Sequence, residues 1–442
     1  MKSILIIGAG RSSSALISYL LKNAETYNWN VRVGDMNDAF AKERVGGNDR
    51  GTAFKFDINN RDQREIEIQH ADVVVSMLPA SMHGQVAEDC VKFSRHLVTA
   101  SYVSDKMRAL DAEAKKKNII LLNEIGLDPG IDHMSAMAII DEIRAKGGEM
   151  KAFYSYCGGL VAPESNDNPW GYKFSWNPRN VILAGQGAPA QYIENGILEE
   201  VDYIELFSSA REVEVKGLGK FDAYANRDSL SYRAVYGLEN IPTMLRGTLR
   251  AHGFCKAWNV LVQSGWTDDS YVLENLSGMT YGQLTERLLG NCELSLRGEA
   301  ARDAGLAQDD PAMDMVEWTG IFGEEKIPFE KATPAQVLQE LLERKWKLQP
   351  GDKDMIVMQH EFEYSLDGAD HHITSSLVVK GEDEVHTAMA KTVGLPAAIA
   401  VKMILNGAYT GSGVVVPVKK ELYGPVLKEL EEMGIVFGEE RR

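Results

Sequence analysis

Residues 126–137, GLDPGIDHMSAM, bring two acids and a histidine together around a turn of glycines and a proline. The turn itself requires only the glycine and the proline. The carboxylate of Asp128 could accept a proton, directly or through a water molecule. The start of a helix disfavours the charged form of His133, so we expect a neutral ring that exchanges hydrogen bonds. The structural alternatives are Asp128 capping the amides of the turn and His133 serving as a purely structural group.

A Gly-x-Gly turn at Gly8 and Gly10 follows the apolar strand that opens the chain, and a helix with one apolar face comes next. This context predicts dinucleotide binding. The glycines let the backbone approach a pyrophosphate, and the helix N-terminus offers its free amides to the negative charge. The third position of the pattern is Ser13 instead of glycine.

The second strand, WNVRVGD, ends at Asp35, twenty-two residues after Ser13. A carboxylate roughly twenty residues beyond the glycines meets the ribose hydroxyls of a bound dinucleotide. Because it would repel a 2'-phosphate, Asp35 favours NAD over NADP. Arg32, Lys42 and Arg44 are near enough in sequence to keep NADP as an alternative, and a turn-forming acid at a strand end is the structural alternative for Asp35.

The elements that must position these residues alternate between apolar strands and helical segments up to about residue 130. This pattern indicates a parallel sheet covered on both faces. Ligands of such sheets bind beyond the carboxyl ends of the strands. The residues that fall at those ends are Asp57, Leu78, Pro79, Ser101, Tyr102 and the GLDPG turn.

The pattern changes after about residue 150 to alternating strands with turns, such as KAFYSYCGGL and DMIVMQHEFEYSL, which is typical of a mixed or antiparallel sheet. Thr333 and Pro334 indicate a helix start within a helical insert at about 280–346. We predict an α/β protein. A doubly wound Rossmann domain spans 1–130 and is completed by C-terminal helices at about 388–442, and an α+β domain spans 131–387.

The composition is that of a globular protein, with 442 residues, 44% hydrophobic and 25% charged. A net charge of -17 argues against nucleic acid as a partner, although a few local arginines can still dominate an anion site, because screening acts over roughly 8 Å. Four cysteines without CxxC spacing predict reduced thiols and a cytoplasmic protein. Lys402 interrupts the longest apolar stretch, so we expect no membrane segment. The adjacent His371 and His372 would point to opposite faces of a strand, and we predict no metal site.

Five segments resemble saccharopine reductase, the glutamate-forming saccharopine dehydrogenase family of lysine metabolism: NEIGLDPGIDH, SYCGGLVAPESNDNPWGYKFSWNPR, NRDS, RGTLR and AMAKTVGLP. The likeness runs from the first strand to the last helix. It implies reversible oxidation of the secondary amine of saccharopine to an imine, which water splits to glutamate and 2-aminoadipate 6-semialdehyde. It also implies a homodimer in which the α+β domain binds substrate and mediates dimerisation.

The resemblance implies two sets of contacts. The familiar fungal members use NADP and lack an acid at the end of the second strand, so Asp35 departs from them in favour of NAD. Substrate contacts would fall on Ser101, Tyr102, Asp128, Cys157, Gly158, Trp176, Arg227, Arg246 and Thr248, and cofactor contacts on Gly8, Gly10, Arg11, Ser12, Asp57, Ile58, Leu78, Ser101 and Leu127.

The residues themselves agree with such a substrate. Saccharopine carries three carboxylates, and Arg227 and Arg246 offer planar, two-pronged donors for them, unless each is a solvated charge at a strand end. Cys157 precedes Gly158 and a second glycine, which allow close approach to the backbone. We expect Cys157 to pack against substrate, since the reaction needs no covalent intermediate, and a small buried residue is its structural alternative.

Two other functions remain open. One is a dehydrogenase that forms carboxynorspermidine or carboxyspermidine. Its substrate carries one carboxylate and several cationic amines, so its site would require acids where this chain has Arg227 and Arg246. A non-catalytic dinucleotide-binding module would keep the fold without the reaction. It would show NADH affinity without turnover.

Overall fold

The computed structural model describes residues 1–226, 228–290 and 292–442. The chain divides into two units, the first formed by Met1–Glu149 with Leu377–Gly438 and the second by Met150–Ser376 with Glu439–Arg442. We number strands and helices in chain order across both units.

The strands of the described residues are β1 Lys2–Ile7, β2 Trp29–Asp35, β3 Gly51–Lys55, β4 Val73–Ser76, β5 His96–Val98, β6 Ile120–Leu122, β7 Glu149–Val161, β8 Ala190–Glu194, β9 Ile197–Val201, β10 Arg211–Val215, β11 Gly219–Ala225, β12 Thr243–Ala251, β13 Asp354–Leu366, β14 Ala369–Lys380, β15 Gly413–Val415 and β16 Phe437–Arg441.

The helices of the same residues are α1 Ser14–Ala24, α2 Asp38–Val45, α3 Arg61–Gln69, α4 His83–Phe93, α5 Asp105–Ala109, α6 Asp111–Lys116, α7 Ile131–Ala145, α8 Pro178–Ile182, α9 Tyr203–Leu206, α10 Ser231–Val235, α11 Phe254–Gln263, α12 Tyr281–Leu289, α13 Leu296–Asp303, α14 Pro311–Thr319, α15 Pro334–Lys345, α16 Ala388–Leu405 and α17 Lys420–Glu432.

The first unit contains a seven-stranded parallel sheet with the order β15-β6-β5-β4-β1-β2-β3. The apolar runs predict this arrangement, because strands covered on both faces have no polar side to alternate with. All four residues of β4 are buried, as the runs require. The strand order reverses between β1 and β4, which is where doubly wound sheets bind their ligands. The predicted Rossmann fold is therefore confirmed.

The first unit extends beyond the predicted end at residue 130. Helix α7 belongs to it and packs against α17. The hydroxyl of Tyr423 on α17 donates to Asp141 Oδ2 on α7 at 2.7 Å. The boundary therefore falls between Glu149 and Met150, after the glycines that end α7.

The C-terminal helix α16 packs against α1 within the first unit. By length and composition alone α16 could cross a membrane, yet 72% of its apolar window is buried within the protein. At Gly394 a Cβ atom would lie 2.8 Å from the backbone nitrogen of Leu16. This glycine thus allows the two helices to approach closely.

The second unit is built on a mixed sheet with the order β10-β11-β12-β7-β13-β14-β16, and β8 and β9 extend it beside β12. Strand β12 runs parallel to β7 and antiparallel to β11. Helices α11 to α15 pack around an aromatic core that includes Trp170, Trp258 and Trp346. Thr333 caps α15 in a reciprocal pair with Gln336, and Pro334 follows it, as predicted. These helices form the helical insert of the α+β fold.

Candidate active site

The turn after β1 combines two glycines with different roles. Gly8 has φ +106°, and a Cβ there would lie 2.9 Å from the carbonyl oxygen of Met77. Gly10 has φ -70°, and the space where its Cβ would point is open to 4 Å. A glycine at position 8 therefore lets the backbone just after β4 pack closely against this turn. Gly10 leaves room for a ligand at the start of the turn that leads into α1, and Arg11 and Ser12 line that turn.

Asp35 ends β2 beside this glycine turn. Its Oδ2 accepts a hydrogen bond from the amide of Ala9 at 2.7 Å, and its Oδ1 accepts from the amide of Asn37 at 2.8 Å. The carboxylate is thus fixed between the end of the second strand and the dinucleotide turn. This is the position from which a carboxylate meets ribose hydroxyls.

Arg32, Lys42 and Arg44, the cations that keep NADP as an alternative cofactor, each pair with an acid. Arg32 pairs with Glu67 and lies over the ring of Phe54 at 5.0 Å. Two further pairs form on α2: Lys42 Nζ lies 2.6 Å from Asp38 Oδ2, and Arg44 lies 3.2 Å from the acid beside it.

The other predicted cofactor residues lie at the same edge. Because the sheet is parallel, the carboxyl ends of its strands share one edge. This edge carries Gly8 after β1, Asp35 at the end of β2, Asp57 and Ile58 after β3, Leu78 after β4, Ser101 after β5 and Leu127 after β6. Ile58 is buried, so of this pair Asp57 is the more accessible. Its Oδ1 accepts from the amide of Asn59 at 2.9 Å, which also gives it a turn-forming role.

The GLDPG segment forms a tight turn that presents Asp128. The amide of Gly126 donates to the carbonyl of Pro129 at 3.0 Å, and the peptide bond between Asp128 and Pro129 is cis. Gly130 has φ +148°, and a Cβ there would lie 2.1 Å from the carbonyl oxygen of Gly126, so only glycine fits. The amide of Gly130 donates to Asp132 Oδ1 at 2.5 Å. Asp132 therefore caps one of the backbone amides of this turn.

Tyr102 and Asp128 meet at this edge. The Tyr102 hydroxyl donates to Asp128 Oδ1 at 3.2 Å, and 46% of Tyr102 is exposed. Asp128 is half-buried. The pair therefore offers an accessible carboxylate with a phenol as its hydrogen-bond donor, which suits proton transfer at a bound ligand.

His133 is completely buried and does not face this edge. Its Nε2 lies 2.9 Å from Glu124 Oε2, and its Nδ1 lies 3.4 Å from Asp132 Oδ2. Glu124 Oε1 also accepts from the amide of Val103 at 2.9 Å. The ring has no exposed surface for a ligand, which argues against the catalytic role expected for His133. Through Glu124 it joins α7 to the loop that carries Tyr102, which is a positioning role.

His83 is a residue that the sequence argument missed. It begins α4, and its ring lies 2.8 Å from Ser76 Oγ and 2.7 Å from Ser101 Oγ. Burial lowers the pKa of this imidazole to about 4. The sequence signal that could have identified His83 is a histidine at the start of the helix that follows β4 of the parallel sheet.

In the second unit the register of β7 and β12 brings predicted substrate residues together. Cys157 stands opposite Thr248, and Ser155 stands opposite Arg246. Since alternate residues share a face, Cys157, Thr248 and Arg246 project from the same side of the sheet. Cys157 is buried and carries a free thiol.

Gly158 has a packing explanation. A Cβ at this position would lie 2.4 Å from the carbonyl oxygen of Leu249 on β12. The feature that approaches the backbone here is therefore the neighbouring strand. The substrate contact that the resemblance implies for Gly158 stays a prediction.

Arg246 and Arg250 occupy the same face of β12, and both are buried. The Arg246 guanidinium lies over the ring of Tyr232 at 4.2 Å. Arg250, which was not predicted from the sequence, lies over Tyr172 at 5.3 Å. Its guanidinium donates to the carbonyl of Leu249 at 3.0 Å and to the Tyr224 hydroxyl at 3.3 Å, and no carboxylate of the described residues pairs with it. Its Nε has no hydrogen-bond partner within the part of the chain that the structure describes. Arg227 lies outside the residues that the structure describes.

Trp176 contacts one of the aromatic rings that face Arg250. Its indole nitrogen donates to the Tyr172 hydroxyl at 3.3 Å, and the Tyr172 ring faces Arg250. Of the predicted substrate residues in the second unit, five therefore belong to the β7–β12 strand pair and the loop after β7: Cys157, Gly158, Trp176, Arg246 and Thr248. In the described part of the chain, no group of three or more His, Cys, Asp or Glu side chains could hold a metal ion.

A doubly wound sheet with an open glycine turn, an acid after β2 and an accessible proton acceptor defines a nicotinamide dinucleotide-dependent oxidoreductase. Residues 4–122 match the family described as saccharopine dehydrogenase NADP binding domain. Residues 126–435 match the family described as saccharopine dehydrogenase C-terminal domain. The chain belongs to the saccharopine dehydrogenase family.

Relatives of known name agree. Saccharopine dehydrogenase (NADP+, L-glutamate-forming) of Pyricularia oryzae is 34% identical over 98% of this chain and 97% of its own length. The enzyme of that name from Saccharomyces cerevisiae is 33% identical over 100% of this chain and 99% of its own. Mitochondrial alpha-aminoadipic semialdehyde synthase of Bos taurus is 33% identical over 99% of this chain, which spans 47% of that protein.

Solved structures share the fold. The apo saccharopine dehydrogenase (L-Glu forming) from Saccharomyces cerevisiae superposes with a TM-score of 0.89 at 33% identity, covering 100% of both chains. A homospermidine synthase from Legionella pneumophila in complex with NAD gives a TM-score of 0.59 at 9% identity, over 100% of this chain and 91% of its own. The second likeness concerns the fold alone.

Proposed function

We propose that this protein oxidises saccharopine reversibly with a nicotinamide dinucleotide. Saccharopine, NAD+ and water give glutamate, 2-aminoadipate 6-semialdehyde, NADH and a proton. The observation that carries the proposal is the full-length similarity to enzymes named for this reaction, together with an accessible carboxylate at the carboxyl edge of the sheet.

The dinucleotide site fits the described residues. Gly10 leaves open space at the start of α1, and Asp35 holds a fixed carboxylate beside it. The nicotinamide, when bound, accepts the hydride. The protein has to orient the two ligands and to handle protons.

Asp128 is suited to the proton step. The secondary amine of saccharopine must lose its proton before hydride leaves its carbon, and the resulting imine needs an activated water. The Asp128 carboxylate can accept a proton in either step, and the Tyr102 hydroxyl holds one of its oxygens in place.

The three carboxylates of saccharopine require fixed cations. Arg246 and Arg250 are held against aromatic rings on one face of β12, so their positions are defined before substrate arrives. For Arg250, which has no acidic partner among the described residues, burial of the charge is costly, and a substrate carboxylate would supply that partner. Sequence similarity adds Arg227 as a third cation.

NAD is the cofactor that Asp35 favours. A 2'-phosphate would meet a carboxylate whose two oxygens are held by the amides of Ala9 and Asn37. The nearby Arg32, Lys42 and Arg44 are each paired with an acid and are thereby less available to a phosphate.

We further propose that the protein is a cytoplasmic homodimer. Free thiols at Cys90, Cys157, Cys255 and Cys292 suit a reducing compartment. The dimer rests on the resemblance to the family. Light scattering from purified protein would show a mass near that of two chains, and a monomer would refute the dimer.

The experiment that tests the reaction is the absorbance of reduced nicotinamide, recorded with saccharopine and either NAD or NADP. Signal with NAD supports both the reaction and the role of Asp35, and signal with NADP alone keeps the reaction and removes that role. If neither cofactor gives turnover although NADH binds, the reaction is refuted. Carboxylated polyamines would then be assayed as substrates, with a non-catalytic dinucleotide-binding module as the remaining reading.

A further inference from the structure

His83 connects two strand ends beneath the carboxyl edge of the first unit. It is the first residue of α4, and its ring is buried between Ser76, which ends β4, and Ser101, which follows β5. The distance from Nδ1 to Ser76 Oγ is 2.8 Å, and that from Nε2 to Ser101 Oγ is 2.7 Å. Both ring nitrogens are therefore used.

The buried hydroxyl of Ser76 fixes which nitrogen carries the proton. Only 1% of Ser76 is exposed, and within the described chain its Oγ contacts only the His83 ring. If Nδ1 donated to Ser76, the Ser76 proton would be buried without an acceptor, at a cost of about 1–3 kcal/mol. Ser76 therefore donates to Nδ1, and the proton of the neutral ring resides on Nε2.

This arrangement determines the direction of the Ser101 hydroxyl. Nε2 donates to Ser101 Oγ, so the hydroxyl proton points away from the ring. Among the described side chains and carbonyls, Ser101 Oγ contacts only the His83 ring, so this proton meets no acceptor there. Ser101 is half-buried and is followed directly by Tyr102, which contacts Asp128. Its proton is thus presented at the rim of the candidate active site.

The ring stays neutral under working conditions. The groups that face it are the hydroxyls of Ser76, Thr99 and Ser101, with Thr99 Oγ1 at 3.4 Å from Nε2. Burial accordingly keeps the pKa of His83 at about 4, far below neutral pH. The proton pattern is then the same across the range in which such an enzyme is assayed.

We propose that His83 is a positioning residue that turns the Ser101 hydroxyl outward as a hydrogen-bond donor to a carboxylate of saccharopine. The identity of the ligand rests on the proposed function, whereas the orientation of the hydroxyl rests on the first unit alone. A hydroxyl that donates to an anion gives a stronger bond than one that donates to a neutral oxygen. Of the two ligands, the tricarboxylate substrate is the richer source of such acceptors.

Four variants separate this role from a structural one. We expect Ser101→Ala and His83→Leu each to raise the KM for saccharopine about tenfold or more, with little change in the KM for the dinucleotide. The double variant should raise the KM for saccharopine no more than the more severe of the two single variants does, because both substitutions remove the same hydrogen bond. His83→Gln can place an amide donor near Nε2, and we expect it to restore the KM to within about threefold of wild type.

His96→Gln is the matched control. His96 opens β5, and its Nδ1 accepts from the amide of Ile120 at 3.0 Å. Its loss should lower Tm and leave both KM values unchanged. If His83→Leu gave the same pattern, or if Ser101 and His83 changes were additive, the positioning role would be overturned. A selective rise in the KM for the dinucleotide would overturn the carboxylate assignment and place the hydroxyl on the cofactor.

A second measurement is independent of turnover. Two-bond proton–nitrogen correlation spectra of protein labelled with 15N-histidine distinguish the two neutral tautomers, and His83→Gln assigns the signal by its disappearance. The proposal requires the proton on Nε2, and a proton on Nδ1 would overturn it. Wild-type protein without saccharopine turnover would refute the proposed function instead, and would leave the tautomer result standing.

Discussion

The hydroxyl of Tyr102 donates a hydrogen bond to Oδ1 of Asp128 across 3.2 Å and so joins the loop after β5 to the turn after β6. Beneath this pair, Glu124 ties both elements to α7 through the amide of Val103 and the ring of His133. The accessible carboxylate is therefore held from above by a phenol, while the buried network fixes the loop and turn that carry the pair.

The first prediction concerns Asp128→Asn. If the carboxylate accepts a proton, this variant should lower kcat by about 10²–10⁴-fold, because an amide of the same shape has no basicity. Tyr102→Phe is the control. It removes the hydrogen bond and keeps the carboxylate, so its kcat should fall by less than about tenfold. Steady-state kinetics with saccharopine would distinguish the two. A kcat for Asp128→Asn within threefold of wild type would mean that water or substrate handles the proton alone.

The second prediction concerns cofactor choice. Asp35→Ser removes the negative charge that two backbone amides hold beside Gly10. We expect the ratio of kcat/KM for NAD to that for NADP to fall at least about tenfold, since a 2'-phosphate no longer meets a fixed anion. Asp38→Ser is a suitable control, because Asp38 pairs with Lys42 on the surface of α2. An unchanged ratio in Asp35→Ser would show that another group reads the ribose.

Local pattern was sufficient for most of the fold. The apolar runs of β4 and β6 predict strands buried on both faces, and the Gly-x-Gly turn with Asp35 predicts the sheet's binding edge. The end of the first unit was not predictable in this way. Whether α7 belongs to that unit depends on its packing against α17, which lies about 280 residues later in the chain. No local signal reports such a contact.

The candidate site likewise contains residues that local sequence predicts and residues that only long-range packing reveals. Asp128 and Tyr102 were identified because they lie at strand ends. The network beneath them depends on Glu124, whose backbone has φ +58° and whose side chain reaches two other segments. Gly158 was expected to contact substrate from the resemblance, and a glycine pair looks the same in sequence whether a ligand or a neighbouring strand approaches it. Arg250 was missed because its lack of an acidic partner is a property of three-dimensional packing.

The third prediction concerns Arg250→Met. Replacing a buried cation that has no carboxylate partner should leave Tm unchanged or raise it, because methionine can pack against Tyr172 and Phe254. We expect the KM for saccharopine to rise at least about tenfold, with the KM for the dinucleotide unaltered. Thermal denaturation and steady-state kinetics would be measured together.

Arg211→Met is the control for that variant. Arg211 makes two contacts with the carboxylate of Glu194, at 2.7 Å and 2.8 Å. Its loss should therefore lower Tm and leave the KM for saccharopine unchanged, which is the reverse pattern. An Arg250→Met variant with a normal KM would remove Arg250 from substrate binding.

The fourth prediction follows from the burial of His83. Its pKa of about 4 in the folded state lies below the ordinary value of 6.5, so the unfolded state binds more protons between these limits. Stability should therefore fall as pH decreases through this window, by about 2 kcal/mol between pH 7 and pH 5. Urea unfolding at both pH values, in wild type and His83→Gln, measures this term by difference. Equal pH dependence in the two proteins would contradict the buried neutral ring.

The fifth prediction concerns the contact between α1 and α16. In Gly394→Ala the new methyl group would lie 2.8 Å from the backbone nitrogen of Leu16, so the helices must separate. The cost of overpacking exceeds the gain in helix propensity, and we expect a net loss of about 1–2 kcal/mol. Gly424→Ala is the matched control. It has open space around it in α17, and Pro425 after it offsets the propensity gain, so it should stay within about 0.5 kcal/mol of wild type. Equal stability of the two variants in urea would show that α16 can shift from α1 without loss.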